Sequence, residues 1–156
     1  MEIHDRIQEL ERELGRLSRV QKILLGTDGS VTRILEMITG GQVRITTLSQ
    51  EVVPATGEVA ALLKVAEGEP VNHRAVKIEE EETSRPLIYA VSDTPLGRLS
   101  PEFREDLLRA DIPIGRILAS HRIEARREIL DAGIVPATPE HAEIFGVFRG
   151  EPVLSR

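Results

Sequence analysis

Apolar residues recur at three- and four-residue spacings through the opening stretch EIHDRIQELERELGRLSRVQKILLG, where Ile3, Ile7, Leu10, Leu14, Leu17, Val20 and Leu24 share one side. That spacing predicts one amphipathic helix covering a face of the protein. A second helix is announced by TDGSVTRILEMITGG: Asp28 or Ser30 can cap its start, and Gly40 and Gly41 can end it. The β-branched run QVRITTLSQEVVP, closed by Pro54, predicts a long strand, and TGEVAALLKV a short helix.

The period then changes to two. In VNHRAVKIEEEE, residues 71–82, His73, Ala75, Lys77 and Glu79 share the face that suits water, while Asn72, Arg74, Val76 and Ile78 share the apolar face. Arg74 therefore stands on an inward row. A guanidinium taken out of water costs several kcal/mol unless acceptors meet it, so an anionic partner, either a protein acid or a ligand, is expected opposite. The acidic run Glu79 to Glu82 reads as a solvated turn, after which LIYAVSDTP returns as the next strand.

Further along, SPEFREDLLRA predicts a helix with Ser100 as N-cap and proline in its first turn, and IPIGRILAS a second short helical turn. HRIEARREILDAG alternates more cleanly than any other segment. Arg122, Glu124, Arg126 and Glu128 would share one face of a strand, and His121, Ile123, Ala125, Arg127 and Ile129 the other. A second arginine, Arg127, thus falls on an apolar row. TPEHAEIFGV predicts a last helix, and RGEPVLSR a turn and a strand. Hairpins mixed with short helices argue for an α+β fold, a single largely antiparallel β-sheet with flanking helices. No linker, repeat or low-complexity tract interrupts residues 1–156, which read as one domain.

Composition narrows the function classes. The 156 residues, 40% of them apolar, can bury roughly two-thirds of their unfolded surface without a staple. The absence of cysteine removes disulfides, thiolate nucleophiles and Cys-type zinc sites. No apolar run reaches membrane-span length, and MEIHDRIQEL is too charged for a signal peptide, so a cytoplasmic protein is expected, with no membrane partner. A net charge of −6, one Tyr, three Phe and no Trp argue against nucleic acid as a partner. Lys22, Lys64 and Lys77 are the only lysines beside seventeen arginines, a bias toward the planar fork that suits carboxylates.

Several catalytic signatures are missing. His4, His73, His121 and His141 show no metal-ligand spacing, Gly40-Gly41 is not followed by a phosphate-loop pattern, and no G-x-S-x-G elbow occurs. The residues describe a domain needing no cofactor and no metal, with two inward arginines, a pattern suited to a small carboxylate in a pocket.

The segments LLGTDGSVTRILEMITGGQVRITTLSQEVV, VNHRAVKIE and SDTPLGRLSPEFREDLLRADIPIGRILAS, in that order, resemble the chorismate lyases over about residues 20 to 130. They are most similar to the archaeal-type branch, formerly a family of unknown function. These enzymes convert chorismate to 4-hydroxybenzoate and pyruvate without a cofactor. The same superfamily holds the UTRA effector-binding domains of GntR-type transcription factors, and ILDAGIVPATPEHAEIFGVFRGEPVLSR fits that general pattern too.

The resemblance gives Arg74 a role: it matches the arginine that pairs with the ring carboxylate. It places the assisting backbone amide at Ile114 of IPIG and matches Val31 of GSVTRILE to an apolar wall of the pocket. Arg127 comes from strand alternation alone, as a contact for the second carboxylate or, equally, as one side of a structural ion pair. The family's catalytic glutamate is expected in a strand beyond Arg156, so no catalytic residue is assigned within the chain, and the domain is expected to lack its C-terminal strand or strands. A non-catalytic small-molecule sensor of UTRA type, binding an aromatic carboxylate, is the alternative; only about twenty-five helical residues precede TDGS, too few for a winged helix-turn-helix.

Overall fold

The computed structural model describes residues 2–109, 112 and 114–156; Ala110 and Pro113, which fall inside two of the motifs above, lie outside the described residues. The elements run α1 (Ile3–Leu14), α2 (Arg19–Gly26), α3 (Val31–Thr39), β1 (Val43–Pro54), α4 (Gly57–Leu63), β2 (Pro70–Glu80), β3 (Pro86–Pro95), a 3-10 turn (Leu96–Arg98), α5 (Pro101–Leu108), α6 (Ile114–Ser120), β4 (Gly133–Pro136), α7 (Pro139–Phe145) and β5 (Pro152–Ser155). They divide into two compact units, Met1–Val43 with Arg126–Arg156, and Arg44–Ala125.

In the first unit the single opening helix expected from the spacing is two helices. Gly15 turns to φ 86°, a conformation that stops a helix cheaply only at glycine. Three residues later a capping box starts the next one: Gln21 N–H donates to Ser18 Oγ at 3.1 Å, and Ser18 N–H donates to Gln21 Oε1 at 2.8 Å. The apolar spacing runs across this break because Leu17, between the helices, is buried with Leu10, Leu25 and Ala132. Ser30, rather than Asp28, caps α3, accepting from Arg33 N–H at 3.3 Å. β4 and β5 pair antiparallel, Gly133 opposite Ser155 through Pro136 opposite Pro152.

The strand expected over 121–129 is not formed. After α6 the chain turns at His121 and Arg122, and residues 123–132 carry no strand pairing before β4. Alternation is only a local condition, whereas a strand also needs a neighbouring edge to take its backbone hydrogen bonds. The inner row of such a strand would have had to desolvate Arg127; instead Ile123, Arg127 and Leu130 are all exposed.

The second unit is built on a three-stranded antiparallel sheet in the order β1-β2-β3, with helices beside it, which establishes the α+β class. β2 and β3 form a hairpin in unbroken register from Val71 opposite Pro95 to Ile78 opposite Ile88, where a bulge shifts Glu79 opposite Pro86. The row His73, Ala75, Lys77, Glu79 does not simply face water. Ala75 and Glu79 are 6% and 2% exposed. β2 is the middle strand, and residues from the elements beside it reach over this face as well as the other. Val71 packs with Ala55 and Ala60 of the β1–α4 connection and α4. A separate apolar cluster of Leu96, Phe103, Leu107 and Ile117 ties the 3-10 turn to α5 and α6.

Candidate functional site

Because the β2–β3 register is regular here, Asn72 and Arg74 project to the same side as the residues opposite them, Thr94 and Ser92. The next pairs on that side are apolar, Val76 with Ala90 and Ile78 with Ile88. One face of the hairpin is thus split into a polar block and an apolar block.

Arg74 is 2% exposed, as the period-two pattern predicts. Its Nη1 donates to the Ile112 carbonyl and its Nη2 to Thr47 Oγ1 of β1, both at 3.0 Å. Both contacts help to orient the guanidinium fork. Ile112 lies two residues before Ile114, a reach of roughly 7 Å at most along the chain. Arg74 and Ile114 are therefore brought into one neighbourhood. Ile114 is the first residue of α6 and packs partly against the Leu96–Phe103–Leu107–Ile117 cluster. Its amide belongs to the first turn, where N–H groups have no intrahelical acceptor.

Val31 and Arg127 belong to the other unit. Val31 is the half-buried first residue of α3. Arg127 is exposed; its Nη1 lies 3.5 Å from the Asp28 carbonyl, and it lines a cleft of about 510 Å³ together with Arg6, Arg126, Asp28 and Asp131.

Three features of the second unit were not singled out by sequence. Asn72 is fully buried, and neither its Nδ2 nor its Oδ1 has a hydrogen-bond partner among the described residues. The signal was present: it is a second polar residue on the apolar row, two positions before Arg74. Glu79, expected in a solvated turn, is a buried ion-pair centre. Oε1 accepts from Arg44 Nε at 2.9 Å and Nη2 at 2.7 Å, while Lys77 Nζ lies 2.8 Å from Oε2. The Lys77 bond, helped by Arg44, holds its carboxyl below the ordinary glutamate value against the opposing effect of burial. On the row facing away from Arg74, His73 Nδ1 sits 2.7 Å from Asp93 Oδ1 beside a mostly apolar cleft of about 290 Å³ that also includes Thr56 and Val71.

Among the described residues no group of three or more His, Asp or Glu is placed to hold a metal ion, and no helix is long and apolar enough to cross a membrane.

Comparison with known proteins gives this geometry a setting. The Methanocaldococcus jannaschii protein MJ0807, a lyase by assignment only, is 40% identical over 139 residues, covering 86% of this chain and 66% of that one. The chorismate pyruvate-lyase of Mycobacterium leprae is 23% identical over 116 residues, 74% of this chain and 55% of that one. The chain thus spans just under two thirds of the archaeal relative and little more than half of the mycobacterial one. Among solved structures, PhnF from Mycobacterium smegmatis superposes with a TM-score of 0.66 at 17% identity, over 81% of this chain and 54% of that one. The ligand-binding domain of a Bordetella bronchiseptica protein assigned to the GntR family of transcriptional regulators gives 0.59 at 22%, over 72% and 71%. At those identities the likeness is one of fold, the UTRA fold of GntR-type regulators. The model of the family described as "Chorismate pyruvate-lyase Rv2949c-like" matches residues 24–156, nearly the whole chain, and the chain belongs to that family.

Proposed function

We propose that the protein is a chorismate lyase, eliminating pyruvate from chorismate to leave 4-hydroxybenzoate, with residues 1–156 belonging to one domain of that type that lacks its C-terminal strand or strands. The observation that supports this reading is the buried Arg74 fork, whose Nη1 donates to the carbonyl of Ile112, two residues before Ile114. A planar guanidinium fork assisted by a main-chain N–H suits one planar carboxylate. Val31 and Arg127 stand in the other unit, so Arg74 and Ile114 are the residues on which the reading rests.

The chemistry asked of such a site is modest. The C4 proton leaves the ring, the C3–O ether bond breaks, and the released enolpyruvate takes a proton on carbon to become pyruvate. Aromatisation drives the process, so the protein has to orient a dianion, exclude water and manage protons. Glu79 is a poor general acid for this: its carboxyl is held ionised, and it is bonded to Lys77, whose strand position faces away from Arg74. No cofactor enters the scheme.

The test is incubation of the full-length gene product with chorismate and EDTA, with 4-hydroxybenzoate and pyruvate followed by chromatography. Equimolar release of both acids is expected; product formation no faster than in buffer would refute the enzyme. The likeness to ligand-binding domains of regulators favours one other reading, a non-catalytic sensor of aromatic carboxylates. That reading is distinguished by tight 4-hydroxybenzoate binding without turnover of chorismate.

A further inference from the structure

Asn72 has no part in the scheme above, yet its burial is costly. Two amide atoms hidden from water without a partner among the described residues each forfeit about 1–3 kcal/mol relative to a satisfied group, and a leucine, branched at the same atom, would carry neither penalty. Thr94 lies directly across the ladder, and still no hydrogen bond joins them. The side chain sits two residues from Arg74 on the same face of a regular strand, a Cα separation of about 7 Å. That distance is comparable to the span between a carboxylate on a benzene ring and a substituent para to it.

We infer that Asn72 is a specificity-determining residue that reads the hydroxyl para to the carboxylate held by Arg74. This deepens the proposed function and rests on it. The identity of the group follows from the hydrogen-bond inventory. A carboxylate or an ether oxygen would engage Nδ2 and leave Oδ1 unsatisfied, whereas a hydroxyl donates to Oδ1 and accepts from Nδ2. The amide can turn over to suit either order. The para hydroxyl is also the substituent that persists through the reaction, on C4 of chorismate and on the ring of the product. As the C4 proton leaves and the ring becomes aromatic, an alcohol turns into a phenol. Its O–H grows more acidic, and the bond it donates to Oδ1 strengthens. An interaction stronger after the proton leaves than before it favours the forward step.

The test uses the full-length protein, calorimetry, and two probes that differ only in the hydroxyl: 4-hydroxybenzoate and benzoate. Wild type should bind 4-hydroxybenzoate at least about tenfold more tightly than benzoate. In Asn72→Leu and, independently, Asn72→Ser, the two affinities should fall within about twofold of each other while benzoate binding is unchanged. Asn72→Leu should also melt above wild type, because it removes two unpaired buried atoms; a merely structural asparagine would lower the melt and leave the ratio alone. Arg74-dependent binding with an unaltered hydroxyl preference in both Asn72 variants would overturn this inference and spare the carboxylate site. Failure of 4-hydroxybenzoate to bind wild type, or binding that survives Arg74→Ala, would overturn the carboxylate site and this inference with it.

Discussion

Glu79→Ala is expected to destabilise the protein by about 2–3 kcal/mol, although it alters one glutamate in a run of four. The magnitude follows from the geometry. The carboxylate is 2% exposed and receives three short charge-assisted contacts, two from Arg44 and one from Lys77. Each such bond contributes roughly 1.5–3 kcal/mol before the desolvation of the carboxylate is set against it. Removing one member of a fully buried pair costs about 3–5 kcal/mol, because the other charge is stranded. Here the stranded groups can rehydrate, the Arg44 and Lys77 side chains being 47% and 30% exposed, so the lower figure applies. For a chain of this size it corresponds to a fall of roughly 5–10 °C in Tm. The assay is urea and thermal unfolding beside Glu81→Ala, whose side chain is exposed and whose replacement should stay within about 0.5 kcal/mol of wild type. The pH dependence has a definite sign. The folded-state pKa is depressed, so the contribution of Glu79 is complete above the ordinary glutamate value and lost as pH falls through the folded one. The gap between wild type and Glu79→Gln should therefore be widest near neutrality and close in strong acid. Equal stability of Glu79→Ala and Glu81→Ala, or a gap that widens on acidification, would refute the ion-pair centre.

Arg74→Ala should weaken 4-hydroxybenzoate binding at least about tenfold by calorimetry, with Arg74→Lys recovering charge but not the fork. It should also cost about 1–3 kcal/mol in a denaturant melt, because the Ile112 carbonyl and Thr47 hydroxyl lose their donor. Arg127→Ala, at an exposed position, should leave stability within about 0.5 kcal/mol of wild type by denaturant melt, and a larger loss would show that its contact with the Asp28 carbonyl carries weight in the fold. Ser100→Ala should cost about 1 kcal/mol by thermal melt, since Ser100 Oγ accepts the Phe103 N–H that opens α5.

What the sequence disclosed depended on how local the cause was. The caps at Ser30 and Ser100 are contacts within a few residues of their own position and are legible; the break at Gly15 and the cap at Ser18 are as local, but Leu17 keeps the apolar spacing unbroken across them while packing between two helices. Arg74 was legible because one inward row is defined by period two alone. Glu79 was misread because its burial depends on Arg44, thirty-five residues away, and on a bulge that no pattern in the acidic run announces. The false strand at 121–129 is the converse case, a sound local pattern without a neighbouring edge. The row of Asn72 is legible from period two, but its burial without a partner depends on residues distant in sequence, which no local pattern announces.

The β2–β3 hairpin holds one further consequence. Asn72, Arg74, Ser92 and Thr94 all stand on two strands joined by one short turn, and their mutual spacing is set by the ladder between those strands. Contacts of such short sequence separation form early in folding, since little loop entropy has to be lost to close them. The spacing of the polar block is thus set by the ladder, independently of longer-range contacts such as that of Arg74 with the Ile112 carbonyl. Substitutions in the helices can change how well the block is sealed, while its own spacing is inherited with the hairpin. The side chains that this face presents can therefore be exchanged on a single turn-linked pair of strands without any change of register.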